Sequence, residues 1–218
     1  MDEDRIHRGR SRGYAVFLKF FSRLSYCLFS GGGNFSQMLL ELGTIDSSAR
    51  ILDIGCGVGN LLIEITKNAP GFSGKTVVGA DYSHAMLKVA SGKFSTNLSK
   101  PYFVECDIAS LPFQDGSFGV CFNVLLLHHL PRELKVRAMN EINRILADGG
   151  ICVLMDIDKP TTFLGKAIAF LRRTVVTIRQ NTEYGLEYFF TQSGFISDAH
   201  FRKLGIFSYY RLVKRNKL

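Results

Sequence analysis

From about residue 35 the chain alternates two hydrophobic patterns. Near-continuous apolar runs rich in β-branched and aromatic residues occur at "RILDIG" (50–55), "KTVVGAD" (75–81), "PYFVECD" (101–107), "FGVCFNV" (118–124) and "GICVLMDI" (150–157). Between them lie "NLLIEITKNA", "SHAMLKVASGKF" and "RELKVRAMNEINRIL", whose apolar residues recur at helical spacing. Strands apolar at nearly every position must be covered on both faces, so the alternation predicts a doubly wound α/β fold with a mostly parallel sheet. Further on, "TEYGLEYFFTQSGF" predicts a helix stopped by Gly194, and "AHFRKL" and "IFSYYRLVKR" predict two strands around Gly205. That pair closes the sheet with an antiparallel hairpin, for seven strands in all. The stretch from about 159 to 181 breaks the alternation and reads as an insertion or lid. Residues 1–33 form a separate basic, amphipathic segment ahead of the domain at 34–218.

The first strand runs into "ILDIGCGVGN", where Gly55, Gly57 and Gly59 stand at the expected start of a helix near Val58. Glycines there allow positive φ and let a ligand approach bare main chain, while the free N–H groups of the following helix favour an anionic ligand group. Asp53, Asp81 and Asp107 stand at three successive strand ends. In doubly wound sheets that edge binds ligands, and an acid ending the second strand is placed to accept both hydroxyls of a ribose. The dinucleotide fingerprint needs Gly or Ala at position 60, where this chain has Asn60, so a nicotinamide cofactor fits less well than another nucleoside.

Composition describes an ordinary globular chain of 218 residues with 46% hydrophobic and 21% charged residues. No apolar run reaches a membrane span, and the charged N-terminus lacks a signal-peptide pattern, so a cytoplasmic location is expected. Five cysteines without a C-x-x-C pair read as reduced thiols, and no metal site is expected. The net charge of +8 is unevenly placed: residues 34–158 hold 10 Lys+Arg against 13 Asp+Glu, whereas residues 159–218 hold 11 against 3. Basicity confined to peripheral segments points to an anionic partner, a phospholipid surface or a nucleic acid, or simply to a solvated face.

In order along the chain, "ILDIGCGVGNLL", "VVGADYSHAML", "FVECDIASLPFQDGSFGVCFNVLLLHHLP" and "EINRILADGGICVLMDI" together resemble the class I S-adenosylmethionine-dependent methyltransferases, more closely their small-molecule and quinone-type branch. The resemblance implies S-adenosylmethionine as cofactor. It places Gly55, Cys56, Gly57 and Gly59 against the methionine portion and Asp53 toward the ammonium. Asp81 then takes the ribose diol, Tyr82 and Met86 pack on the adenine, Asp107 accepts from the adenine amino group and Ile108 covers the ring. Asn123 and Val124 pass beneath the sulfonium.

Methyl transfer from a sulfonium needs the acceptor held in line and water kept away, with a base only if the acceptor must lose a proton. His128 and His129, just beyond the fourth strand, are the candidates for that role or for shaping the acceptor pocket. Two segments, 14–29 and 163–179, combine an apolar face with basic residues; in the second the apolar set is Leu164, Ile168, Leu171, Val175 and Ile178. Such helices pack on the sheet, cover a lipophilic acceptor, or lie peripherally at the inner face of an anionic membrane. The expected acceptor is therefore small and hydrophobic. RNA methylation through the basic ends is an alternative, weakened by "NVLLLHH" standing where base-amino methyltransferases carry Asn-Pro-Pro-aromatic. A silent cofactor-binding partner subunit is another.

Overall fold

The computed structural model describes residues 34–44, 49–68, 77–94, 100–171 and 176–215. In chain order these form α1 (Asn34–Gly43), β1 (Ile51–Ile54), α2 (Asn60–Asn68), β2 (Val77–Asp81), α3 (His84–Gly92), β3 (Tyr102–Glu105) and β4 (Phe118–Val124). A 3₁₀ turn (Leu127–His129) then leads to α4 (Arg132–Ile145), β5 (Leu146–Ile157), α5 (Phe163–Leu171), α6 (Val176–Tyr184), α7 (Leu186–Gln192), β6 (Phe195–Lys203) and β7 (Phe207–Lys214). The amphipathic segment at 14–29 lies outside the described residues.

One seven-stranded sheet has the order β3-β2-β1-β4-β5-β7-β6. The first five strands are mutually parallel, and β7 runs antiparallel to both β5 and β6. Strand alternation sorts the core into two layers. Ile51, Val120, Phe122 and Val153 face Leu39 of α1 and Leu62 and Ile65 of α2, whereas Leu52, Ile54, Cys121 and Cys152 face Met139 and Ile142 of α4 and Phe190 of α7. Burial on both sides is why these strands read as unbroken apolar runs. The two edge strands depart from that pattern: β3 has no buried residue and β6 only Phe195.

Two sequence expectations change. The helix after the glycine turn starts at Asn60, not near Val58. The stretch expected as one helix through "TEYGLEYFFTQSGF" is broken at Gly185, whose φ of +83° no L-residue adopts comfortably, into α6 and α7. Because the strand order reverses across β1 and β4, the turn leaving β1 and the loop leaving β4 open side by side at the carboxyl edge.

Candidate active site

The glycine turn is held from beneath. The N–H groups of Gly55 and Cys56 both donate to the Ala80 carbonyl of β2, at 2.8 and 3.0 Å, and Gly57 N–H donates to Asp81 Oδ2 at 2.8 Å. Asp81 Oδ1 accepts from Ser83 N–H at 2.8 Å, and Ser83 caps α3. The ribose candidate is thus also the brace of the turn, with lone pairs left on both oxygens for further donors. Gly55 and Gly59 pack closely, since a Cβ on Gly55 would lie 2.7 Å from Leu126 and one on Gly59 would lie 3.0 Å from Ala90. Gly57 differs: its φ is +52° and nothing stands within 4 Å of its would-be Cβ. It forms an open cradle of bare backbone.

Asp53 lies in the middle of β1, buried, and no hydrogen bond from the described residues reaches its carboxylate. Burial, and secondarily the nearby Asp81 charge, push its pKa up to about 7. Burial also raises Asp81, against the pull of its two backbone donors. A buried carboxylate that no donor reaches, beside an open glycine cradle, would be stabilised by a cationic group. The amide of Asn123 at the end of β4 is fully buried with both polar atoms unpartnered. These features fit the residue set that the resemblance implies for S-adenosylmethionine, in which Asp53 would answer the ammonium, the turn's backbone the carboxylate and Asp81 the ribose.

The remaining predicted cofactor residues gather on the same edge. Tyr82 is exposed just past β2 and Met86 is half-buried on α3. Asp107 is exposed, its Oδ1 accepting from Ala109 N–H at 2.8 Å, with Ile108 buried beside it. Cys56 is buried, its thiol pushed well above the ordinary range by burial and by Asp53 and Asp81, which removes it as a nucleophile. Val124 ends β4, and Leu125 follows at φ +54°, a left-handed conformation rare for leucine, fastened by its N–H to the Met155 carbonyl at 2.8 Å.

That sharp turn aims the two histidines differently. His128 is buried against the end of β5, with Nδ1 2.6 Å from Asp156 Oδ1 and its backbone N–H on Asp156 Oδ2 at 3.1 Å. Ile157 N–H also donates to Asp156, at 2.7 Å. Burial raises this carboxyl, but His128 and the donors outweigh it and its net shift is downward. The His129 ring lies against His128, with centroids 4.0 Å apart and planes tilted by 41°, and its pKa is lowered by desolvation and by His128.

Sequence reasoning missed three groups here. Asp156 read as an ordinary strand residue, because its partner lies 28 positions away. Arg132 opens α4 beside the histidine turn, donates to Tyr188 Oη at 2.6 Å and stacks over Tyr184 and Tyr188, at 4.7 and 5.3 Å from their centroids. Lys135 is buried, donating to Thr177 O at 2.8 Å and Asn181 Oδ1 at 2.5 Å, with its pKa lowered to about 8 by burial. Among the described residues there is no metal-ligand cluster and no helix long and apolar enough to cross a membrane.

Residues 51–150 match the family model described as a methyltransferase domain. An uncharacterised methyltransferase of Synechocystis is 29% identical over 159 residues, covering 73% of this chain and 71% of that one. The demethylmenaquinone methyltransferase of Staphylococcus carnosus is 35% identical, covering 54% of this chain and 46% of its own. That of Thermus thermophilus is 32% identical, covering 56% and 53%. The chain therefore spans about half the length of these two relatives. Among solved structures, a Pyrococcus horikoshii protein aligns with a TM-score of 0.70 at 17% identity, covering 94% of this chain and all of that one.

Proposed function

We propose that the chain is an S-adenosylmethionine-dependent methyltransferase that methylates a small, hydrophobic, quinone-like acceptor. The observation that carries methyl-donor binding is the unpartnered Asp53 carboxylate beside the open Gly57 cradle. The quinone-like class draws support from the demethylmenaquinone methyltransferases among its relatives. It also draws support from Tyr184 and Tyr188, which with Arg132 offer a flat acceptor aromatic surface and a guanidinium donor for a ring oxygen.

When bound, S-adenosylmethionine supplies an electrophilic methyl group. The chain's own contribution is to hold an acceptor hydroxyl and remove its proton. Asp156 takes the Nδ1 side of His128, leaving Nε2 without a partner among the described residues and free to accept that proton. Asp156 is a positioning residue: bonded to both ring and backbone of His128, it sets the tautomer and steadies the imidazolium once formed. The Leu126 and Leu127 side chains beside this turn help exclude water.

Transfer of labelled methyl from S-adenosylmethionine to a short-chain demethylated quinol, a simple phenol and RNA tests the reading. Turnover of the quinol above the other two is expected. Preference for RNA, or cofactor binding with no transfer to any acceptor, would overturn it.

A further inference from the structure

α5 presents its bulkier apolar side to solvent. Phe163 is 90% exposed, Leu164 54% and Phe170 59%, while the side toward the sheet carries the small Gly165 with Ala169 and Ile168. At 100° per residue, Phe163, Ala167 and Phe170 share one outward stripe with Leu164 on its flank. Burial normally orders a helix the other way.

The helix cannot rotate to correct this. A Cβ on Gly165 would lie 2.6 Å from the Gly205 carbonyl, so α5 sits directly on the β6–β7 turn, where only glycine fits. Thr161 N–H donates to Gly205 O at 2.8 Å, and Gly165 N–H to Thr162 Oγ1 at 3.1 Å. Leu204 of the same turn, held at φ +54°, is 46% exposed and extends the apolar surface. The ridge is therefore built into the fold.

Its charge surroundings select the occupant. From Lys159 to Thr182 the sequence holds five Lys or Arg and no acid, and Lys159 and Lys166 are both exposed. Protruding apolar side chains with exposed Lys159 and Lys166 on the same segment match an anionic bilayer, which takes apolar groups below its headgroups and cations at them. A second copy of this chain would set those lysines against their own counterparts. We infer that Phe163, Leu164 and Leu204 insert into the surface of an anionic membrane, with Lys159 and Lys166 at the headgroup level. α5 follows β5 at the carboxyl edge of the sheet, so docking there brings the catalytic edge toward a lipid-borne acceptor. In this the inference extends the quinone-like reading.

The chain contains no tryptophan, so Phe163→Trp gives a single reporter in the full-length protein. With vesicles of phosphatidylglycerol and phosphatidylcholine its emission is expected to shift to the blue and to be quenched by brominated acyl chains. The full-length wild type is expected to float with these vesicles and not with pure phosphatidylcholine. Phe163→Glu with Leu164→Glu is expected to lower the vesicle partition coefficient about tenfold or more, while leaving turnover of a water-soluble short-chain quinol unchanged.

The inference is overturned by flotation without the tryptophan shift, by emission already blue before vesicles are added, or by equal binding to neutral vesicles. Concentration-dependent dimers that the double Glu variant dissolves would equally overturn it, assigning the ridge to a second copy. Loss of quinol turnover in wild type, with vesicle insertion intact, would instead refute the acceptor assignment alone.

Discussion

Acidifying the solution from about pH 7.5 to about pH 5.5 is expected to weaken S-adenosylmethionine binding about 25-fold through Asp53. The carboxyl titrates at about 7 in the cofactor-free fold because it is buried without a donor and lies near Asp81. The ionised form is the one an ammonium stabilises, so the apparent dissociation constant grows with the protonated fraction. That fraction rises from about a quarter at pH 7.5 to about 0.97 at pH 5.5, and the change corresponds to about 2 kcal/mol. Across this window the cofactor's own amino group stays largely protonated, being an α-amino group. Binding should therefore release close to one proton per site at about pH 6. Isothermal titration calorimetry in buffers of different ionisation enthalpy reads both quantities, with Asp53→Asn as the control. The variant should bind more weakly at pH 7.5 and lose most of the pH slope. The sign for folding is opposite: a raised native pKa penalises the charged form, so the cofactor-free protein loses stability as pH rises from about 4 toward 7. A wild-type affinity flat over this range, proton uptake on binding, or an Asp53→Asn variant with wild-type affinity and slope would refute the assignment of Asp53 to the ammonium.

Three further outcomes follow from the geometry. Gly57→Ala should lower stability by only about 1–2 kcal/mol, the strain of φ +52° in open space, yet weaken cofactor binding at least about tenfold by filling the cradle; thermal melts with and without cofactor separate the two effects. Asp156→Asn should lower kcat by about two orders of magnitude with the cofactor dissociation constant unchanged, and imidazole nitrogen NMR of the cofactor-free variant should show the His128 tautomer released. Lys135 has a native pKa lowered to about 8 by burial, so the unfolded chain binds more protons and stability should rise with pH from about 8 to 10; urea denaturation of Lys135→Met should show that rise flattened.

Local pattern was enough to read the five parallel strands, the helices between them, the hairpin and the cofactor edge. Strand burial on two faces and helical amphipathicity are imposed residue by residue, so they leave periods in the sequence. The glycines, Asp81 and Asp107 were legible for a related reason, since they lie at or just beyond strand ends that the same periods locate, whereas Asp53, expected at such an end, sits inside β1. Tertiary structure alone decided what depends on contacts between distant positions. The His128–Asp156 pair joins residues 28 apart, and Asp81 turns out to brace Gly57, 24 residues away. The break at Gly185 depends on its left-handed backbone, not on any loss of helical spacing around it. The outward turn of α5 is set by the close approach of Gly165 to Gly205, forty residues on, which no hydrophobic period encodes because there steric fit overrides the usual preference for burying the larger side chains.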